Sequence, residues 1–269
     1  LQRRNIPVYS VSSIFRKEQI FFRWYGKSYR KVLNTFSHLF VQDEASVQLL
    51  RTIGITNTTV VGDTRFDRVL EICRQAKELP LVEKFKGNHT AFVAGSSWGP
   101  DEDIFIPYLN THPEVKLIIA PHVIDESHLK EITSKLNRTI VRYTQATEEK
   151  VKEADCLLID CFGLLSSIYR YGEIAYIGGG FGVGIHNVLE AAVYGMPVIF
   201  GPNNKRFREA QGLLQCKGGF EIQGAEDFKK IMDNFLNNYE ALDKAGKKAG
   251  NYVRDNAGAL EKIMHTVTL

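Results

Sequence analysis

At 269 residues, 44% of them hydrophobic, the chain is long enough to bury two cores of ordinary size. No uninterrupted apolar run approaches the ~18 residues that cross a bilayer. Cys73, Cys156, Cys161 and Cys216 form no C-x-x-C pair, and no H-E-x-x-H pair occurs, so reduced thiols are expected rather than a disulfide frame, and no metal site. The net charge of +3 is unevenly spread: up to Lys31 there are eight basic residues, Arg3 among them, against Glu18 alone, whereas the remaining 238 residues carry 26 basic and 30 acidic groups.

The apolar run 6–11 predicts a strand, and residues 16–36 predict a helix. Phe22, Tyr25, Tyr29, Leu33 and Phe36 recur at helical spacing as an apolar stripe, while Arg16, Arg23, Lys27 and Arg30 recur on another face. Two readings stand: a core-facing helix with a solvated cationic side, or a surface for an anionic lipid or acceptor. Nucleic acid is not the expected partner, because the rest of the chain is mildly acidic. Strand 38–41, helix 44–53 closed by Gly54, and strand 58–61 complete an alternation that implies a parallel sheet. Three strands make a poor independent domain, so residues 1–63 are expected to be the later part of a larger one. Residues 64–88 predict a connecting segment, with a turn at Lys86-Gly87-Asn88.

A second alternation fills 89–269 and predicts a doubly wound parallel α/β domain. Strand 89–95 runs into Ser96-Ser97-Trp98-Gly99-Pro100, and Asp101, Glu102 and Asp103 suit the first turn of the following helix. Strand 115–120 ends at Pro121-His122; strand 139–143 follows helix 126–136; strand 156–160 leads to Phe162-Gly163-Leu164-Leu165. The run 174–177 then breaks into Gly178, Gly179, Gly180, Gly182 and Gly184, followed by a predicted helix from about His186 to Val193 and strand 196–200. Helix 203–217, strand 220–222 and long helical sequence complete the chain.

The glycine loop offers backbone N–H groups at a helix N-terminus, where an anion such as a phosphate is favoured. Asn187 and Glu190 share one helical face. A carboxylate there would repel the phosphate and suits ribose hydroxyls, or it merely complements the helix dipole. Neither the dinucleotide fingerprint nor a G-x-x-x-x-G-K-[ST] loop is present. In doubly wound sheets ligands lie beyond the carboxyl ends of the strands, so the candidate lining is Ser96, Ser97, Pro121, His122, Gly163, Leu164, Gly184, His186, Asn187 and Glu190.

The stretches VQDEASVQLLRTIGI, VVGDTRFD, AGSSW, LIIAPH, LLIDCFGLLSSIY, IGGGFGVGIHNVLEAAVYGMPVIFGPNNKRFREA and GGFEI resemble the Kdo (3-deoxy-D-manno-octulosonic acid) transferases, GT-B glycosyltransferases of lipopolysaccharide synthesis. The resemblance covers almost the whole chain, and the H-N-x-x-E helix with its following G-x-P-V-x-F-G-P is its most specific part. It implies CMP-Kdo as donor substrate with no cofactor, a lipid A precursor as acceptor, and a place at the cytoplasmic face of the bacterial inner membrane. It puts Asn187 and Glu190 at the CMP ribose and phosphate, Gly163 and Leu164 near the cytosine, Ser96 and Ser97 near the phosphate, and Arg65 near the donor's anionic groups. The usual P-R-H is here Pro121-His122-Val123, and the usual M-G-E-L is Phe162-Gly163-Leu164-Leu165. The family's anchoring helix and general-base glutamate are expected upstream of Leu1, which makes residues 1–269 an expected fragment, inactive alone. The competing expectations are a GT-B transferase using a UDP-sugar and a nucleotide-responsive module that docks on membrane.

Overall fold

The computed structural model describes residue 4 and residues 6–267. Two compact units divide the chain: everything up to Arg68 together with the segment from Asp255 onward, and Val69–Arg254. Arg3 of the basic segment lies outside the described residues.

The first unit holds a parallel sheet of β1 (Tyr9–Ser13), β2 (His38–Val41) and β3 (Thr58–Val60), in that spatial order. Helix Glu44–Arg51 starts where the Asp43 side chain accepts the Ser46 N–H at 2.6 Å. Its Val47 and Leu50 pack with Leu39, Val41 and Ile55 on one side of the sheet. The other side is covered by helix Ala259–Thr266, whose Ala259 and Ile263 meet Phe40 and Val61. The Asp67 carboxylate accepts the N–H groups of Gly258 (2.9 Å) and Ala259 (3.1 Å) at the start of that helix. The division expected from the sequence differs here. Residues 255–267 pack with the first unit, because a parallel sheet needs both faces covered and this sheet takes one cover from the far end of the chain.

The expected helix 16–36 is shorter than its periodicity suggests. Two 3₁₀ turns, Ile20–Phe22 and Trp24–Gly26, precede helix Lys27–Leu33. A side chain at Gly26 would stand 1.9 Å from the Ile20 carbonyl oxygen, so the turns fold back on each other at a point only glycine allows. Phe22, Leu33 and Phe36 face the core as expected, joined by Phe21, whereas Tyr25 and Tyr29 are exposed beside Trp24 and Val32.

The second unit is a seven-stranded, all-parallel sheet. Its strands are β4 (Ala91–Ser97), β5 (Lys116–Pro121), β6 (Ile140–Arg142), β7 (Cys156–Leu158), β8 (Ile174–Ile177), β9 (Val198–Phe200) and β10 (Gly219–Glu221). Their spatial order is β10-β9-β8-β4-β5-β7-β6. Continuous burial along β4, β5, β8 and β9 explains why these strands read as unbroken apolar runs. One face packs Phe92, Ile119, Leu158, Tyr176 and Ile199 against Phe105, Leu109, Phe228 and Met232 of helices Gly99–Asn110 and Ala225–Asn237. All four cysteines are free, and burial pushes the Cys156 thiol up to about 12. After β4 the chain builds one side, with β5 next to β4, β6 at the edge and β7 inserted between them, then returns to place β8, β9 and β10 on the other. The reversal of winding falls between β4 and β8, where doubly wound sheets open a crevice.

Candidate functional site

At this reversal the β4 end and the glycine loop meet backbone to backbone. A side chain on Gly178 would lie 2.2 Å from the Ser96 carbonyl oxygen, and one on Gly180 would lie 2.5 Å from the Gly201 nitrogen. Ser96 itself adopts φ = +52°, a conformation that costs a non-glycine residue about 1–3 kcal/mol and is typically retained at ligand sites. The loop is held from below by Asp101, which is 1% exposed. Its Oδ2 accepts the N–H groups of Gly179 (2.9 Å) and Trp98 (3.0 Å), and its Oδ1 accepts the Tyr176 hydroxyl (2.9 Å). Burial raises the pKa of Asp101, although these three donors pull it down. Among the described residues the N–H groups of Phe181 and Val183 have no acceptor in the chain, which leaves donors on the loop for an anion.

Beside the loop three rings cluster. His122, from the end of β5, stacks against both Trp98 (4.6 Å between centroids) and His186 (4.3 Å). The Trp98 Nε1–H donates to His186 Nε2 at 3.2 Å. Because an indole nitrogen can only donate, His186 Nε2 is an acceptor and the neutral ring carries its proton on Nδ1. Burial, and then the neighbouring His122, hold the His186 pKa below its ordinary value. The ring is thus a neutral donor at physiological pH rather than a cation. Asn187 and Glu190 are joined, with Asn187 Nδ2 donating to Glu190 Oε1 at 3.0 Å. The Asn187 side-chain oxygen accepts the Leu189 N–H at 3.2 Å. The helix expected from His186 is only Leu189–Ala192, so a single turn, and not a long helix dipole, stands behind this corner.

Several expected site residues are placed differently. Ser97 is fully buried, and its Oγ donates to Glu102 Oε1 at 2.9 Å, so this hydroxyl is committed inside the domain while Ser96 stays at the rim. Glu102 is raised by burial and also meets His128 Nε2 at 3.1 Å, while His128 Nδ1 donates to the Val123 carbonyl at 2.9 Å. Pro121 is a buried strand end. Gly163 (φ = +86°) and Leu164 follow β7 at the same end of the sheet. Arg65 belongs to the first unit, where Asp63 Oδ2 takes its Nε at 2.9 Å and its Nη2 at 2.7 Å. Arg30 is half-buried and tied to the backbone. Its Nε donates to the Phe21 carbonyl at 2.8 Å and its Nη2 to the Arg23 carbonyl at 3.1 Å, closing the 3₁₀ turns, while Arg16, Arg23 and Lys27 remain exposed. Trp98 and Asp101 were not among the expected lining. The aromatic residue directly after a strand's Ser-Ser end, and a carboxylate three residues on, were the available signals.

Residues 1–68 match the family model of the 3-deoxy-D-manno-octulosonic-acid transferases. A Rickettsia bellii (strain RML369-C) 3-deoxy-D-manno-octulosonic acid transferase is 27% identical over 248 residues, which cover 89% of this chain and 59% of that one. In sequence the chain is similar to the Kdo transferases. The Aquifex aeolicus (strain VF5) protein of the same description is 29% identical over 218 residues, covering 78% of this chain and 57% of that protein. The chain therefore spans somewhat over half the length of these curated relatives. Among solved structures, the C-terminal CMP-Kdo binding domain of WaaA from Acinetobacter baumannii superposes with a TM-score of 0.56 at 20% identity, covering 70% of this chain and 97% of that one. HepE of Anabaena, solved in complex with UDP, superposes with a TM-score of 0.57 at 12% identity over 97% of this chain and 72% of that one. The α/β, GT-B-like class expected from the sequence is the class of this chain.

Proposed function

We propose that the second unit binds CMP-Kdo and that the protein transfers Kdo from it to a lipid A precursor. The observation that carries this reading is the glycine loop, pinned by Asp101 at the winding reversal, with the neutral His186 and the Asn187–Glu190 pair on its rim. In transfer, an acceptor hydroxyl oxygen bonds to the anomeric carbon as its proton passes to a general base, the bond from that carbon to the phosphate oxygen breaks, and CMP leaves with the electron pair. A departing phosphate monoester needs charge stabilisation more than protonation, which loop amides and the His186 Nδ1–H supply without reorganising. Glu190, bearing the hydrogen bond from Asn187, suits the ribose hydroxyls. The likeness to a CMP-Kdo binding domain supports the cytidine donor, and the exposed Arg16, Arg23 and Lys27 beside Trp24 support an anionic membrane surface as the place of work. Among the described residues no helix is long and apolar enough to cross a membrane.

Calorimetry with CMP and UDP tests the donor class. CMP should bind, and Glu190→Gln should weaken it by about 1.5–3 kcal/mol, the range for a charge-assisted hydrogen bond. Preference for UDP would replace the reading with a UDP-sugar transferase, as in the UDP-bound neighbour.

A further inference from the structure

Residues 203–207, expected within a helix, form a loop, and the helix begins only at Arg208. The loop is fastened at both ends. The Asn203 backbone N–H donates to the Gly180 carbonyl at 3.0 Å, and its Nδ2 donates to the Gly182 carbonyl at 2.7 Å. Asn204, fully buried, donates through Nδ2 to the Gly201 carbonyl (3.0 Å) and to Glu221 Oε2 (2.6 Å), and its Oδ1 accepts Gln211 Nε2 (2.6 Å). The Phe207 N–H donates to the Asn204 carbonyl at 2.9 Å, and the Phe207 ring lies against Gly184. Between these anchors Lys205 and Arg206 are exposed, and neither side chain has a hydrogen-bond or ion-pair partner among the described residues.

The two cations line a cavity of about 630 Å³ together with Val183, Gly184, Phe207 and Glu221. Glu221 is the one acid on that lining, and its two oxygens are already occupied by Asn204 Nδ2 and by Gln223 Nε2 at 2.7 Å. Glu221 is paired with neither cation, so the lining carries a net positive charge with both cationic groups free on the loop, and it shares Val183 and Gly184 with the glycine loop proposed to hold the donor phosphate. We propose that Lys205 and Arg206 bind the carboxylate of an acidic sugar carried by the donor nucleotide. This rests on the reading of the second unit as a sugar-nucleotide site. In an ulosonic acid the carboxylate is borne by the anomeric carbon itself, the carbon bonded to the phosphate oxygen. Its receptor must therefore adjoin the phosphate site, as this cavity adjoins the glycine loop. A guanidinium fork grips a carboxylate through two parallel hydrogen bonds, and the lysine adds a point charge. A neutral hexose offers the loop no such group, so the same two residues select an acidic sugar over a neutral one.

The test compares binding of CMP and of freshly prepared CMP-Kdo to the protein and to its Lys205→Gln/Arg206→Gln variant, with Lys205→Arg/Arg206→Lys as the charge-preserving control. The native protein should bind CMP-Kdo at least about tenfold more tightly than CMP. The glutamine variant should lose that advantage while CMP affinity changes less than about threefold, and the control should keep most of it. If both ligands weaken together, the loop reads the nucleotide phosphate and the proposal falls; it falls equally if the advantage survives in the glutamine variant. Absence of CMP binding by the native protein defeats the donor reading instead. Free 3-deoxy-octulosonate then decides the cavity: shifts of the Val183, Gly184 and Lys205 amide resonances that vanish in the glutamine variant uphold it, and no shifts overturn it.

Discussion

Asp101→Ala is the substitution that bears hardest on the site, because one buried carboxylate serves three donors from three places in the chain. Truncation strands the Gly179 and Trp98 N–H groups and the Tyr176 hydroxyl. At about 1–3 kcal/mol for each buried donor left unsatisfied, the two amides alone account for roughly 2–6 kcal/mol, less whatever water entering the site returns. Asp101→Asn keeps one acceptor oxygen in place of Oδ2 and lets the Tyr176 hydroxyl turn to accept from the new NH₂ group, so it should cost under about 2 kcal/mol. With two units in the chain a single global unfolding midpoint is the wrong measure, and amide hydrogen exchange at Gly179 and Trp98 reads the local opening directly. The pH dependence gives a second check. Burial raises the folded pKa of Asp101, so the folded chain holds this proton more tightly than the unfolded one. The stability it confers is complete below the ordinary aspartate pKa of about 3.9 and declines as pH rises to the raised folded value. That slope should be missing from Asp101→Asn. Protection of Gly179 in the alanine variant within about 0.5 kcal/mol of native would refute the reasoning, since it would mean the carboxylate does not hold the loop.

Two further outcomes are expected. Trp98→Phe keeps the stack on His122 but removes the donor to His186 Nε2, so imidazole nitrogen NMR should show the Nδ1–H tautomer giving way to a mixture and the His186 pKa rising toward its ordinary value; an unchanged nitrogen pattern would show that the indole does not set the tautomer. Replacing Arg16, Arg23 and Lys27 by Gln should weaken co-sedimentation with anionic vesicles by about 1 kcal/mol per charge and flatten its salt dependence, whereas Arg30→Gln should chiefly speed amide exchange across residues 20–26; equal partitioning of the triple variant would leave the basic face as mere solvated surface.

The second unit was legible because its strands are buried on both faces: runs such as Phe92–Ala94, Leu117–Ala120 and Ile174–Ile177 have nothing polar to interrupt them. The glycine loop was legible for the opposite reason, since five glycines in seven residues, 178–184, serve no purpose inside an element. What failed was whatever depends on distant partners. Trp98 and His186 lie 88 positions apart, and neither residue type signals the other. Ser97 looked like a rim hydroxyl until Glu102 claimed it. The helix 16–36 followed a real periodicity, but Gly26 and the Arg30 guanidinium, which takes two carbonyls from the preceding turns, break it into shorter pieces. The segment after Asp255 was assigned to the neighbouring domain because sequence order says nothing of which sheet face is left bare.

The contacts of Gly178 with Ser96 and of Gly180 with Gly201 mean that backbone meets backbone at the base of the crevice. At those two positions the site cannot be retuned by exchanging side chains, because a Cβ at either would stand within 2.5 Å of the facing peptide group. Such a base fixes distances and leaves choice to the margins: rings and amides at one edge, the Lys205–Arg206 loop at the other. Division of labour of this kind lets one unchanging surface serve different cargoes, with identity written only in short loops that can be rewritten without disturbing the sheet beneath.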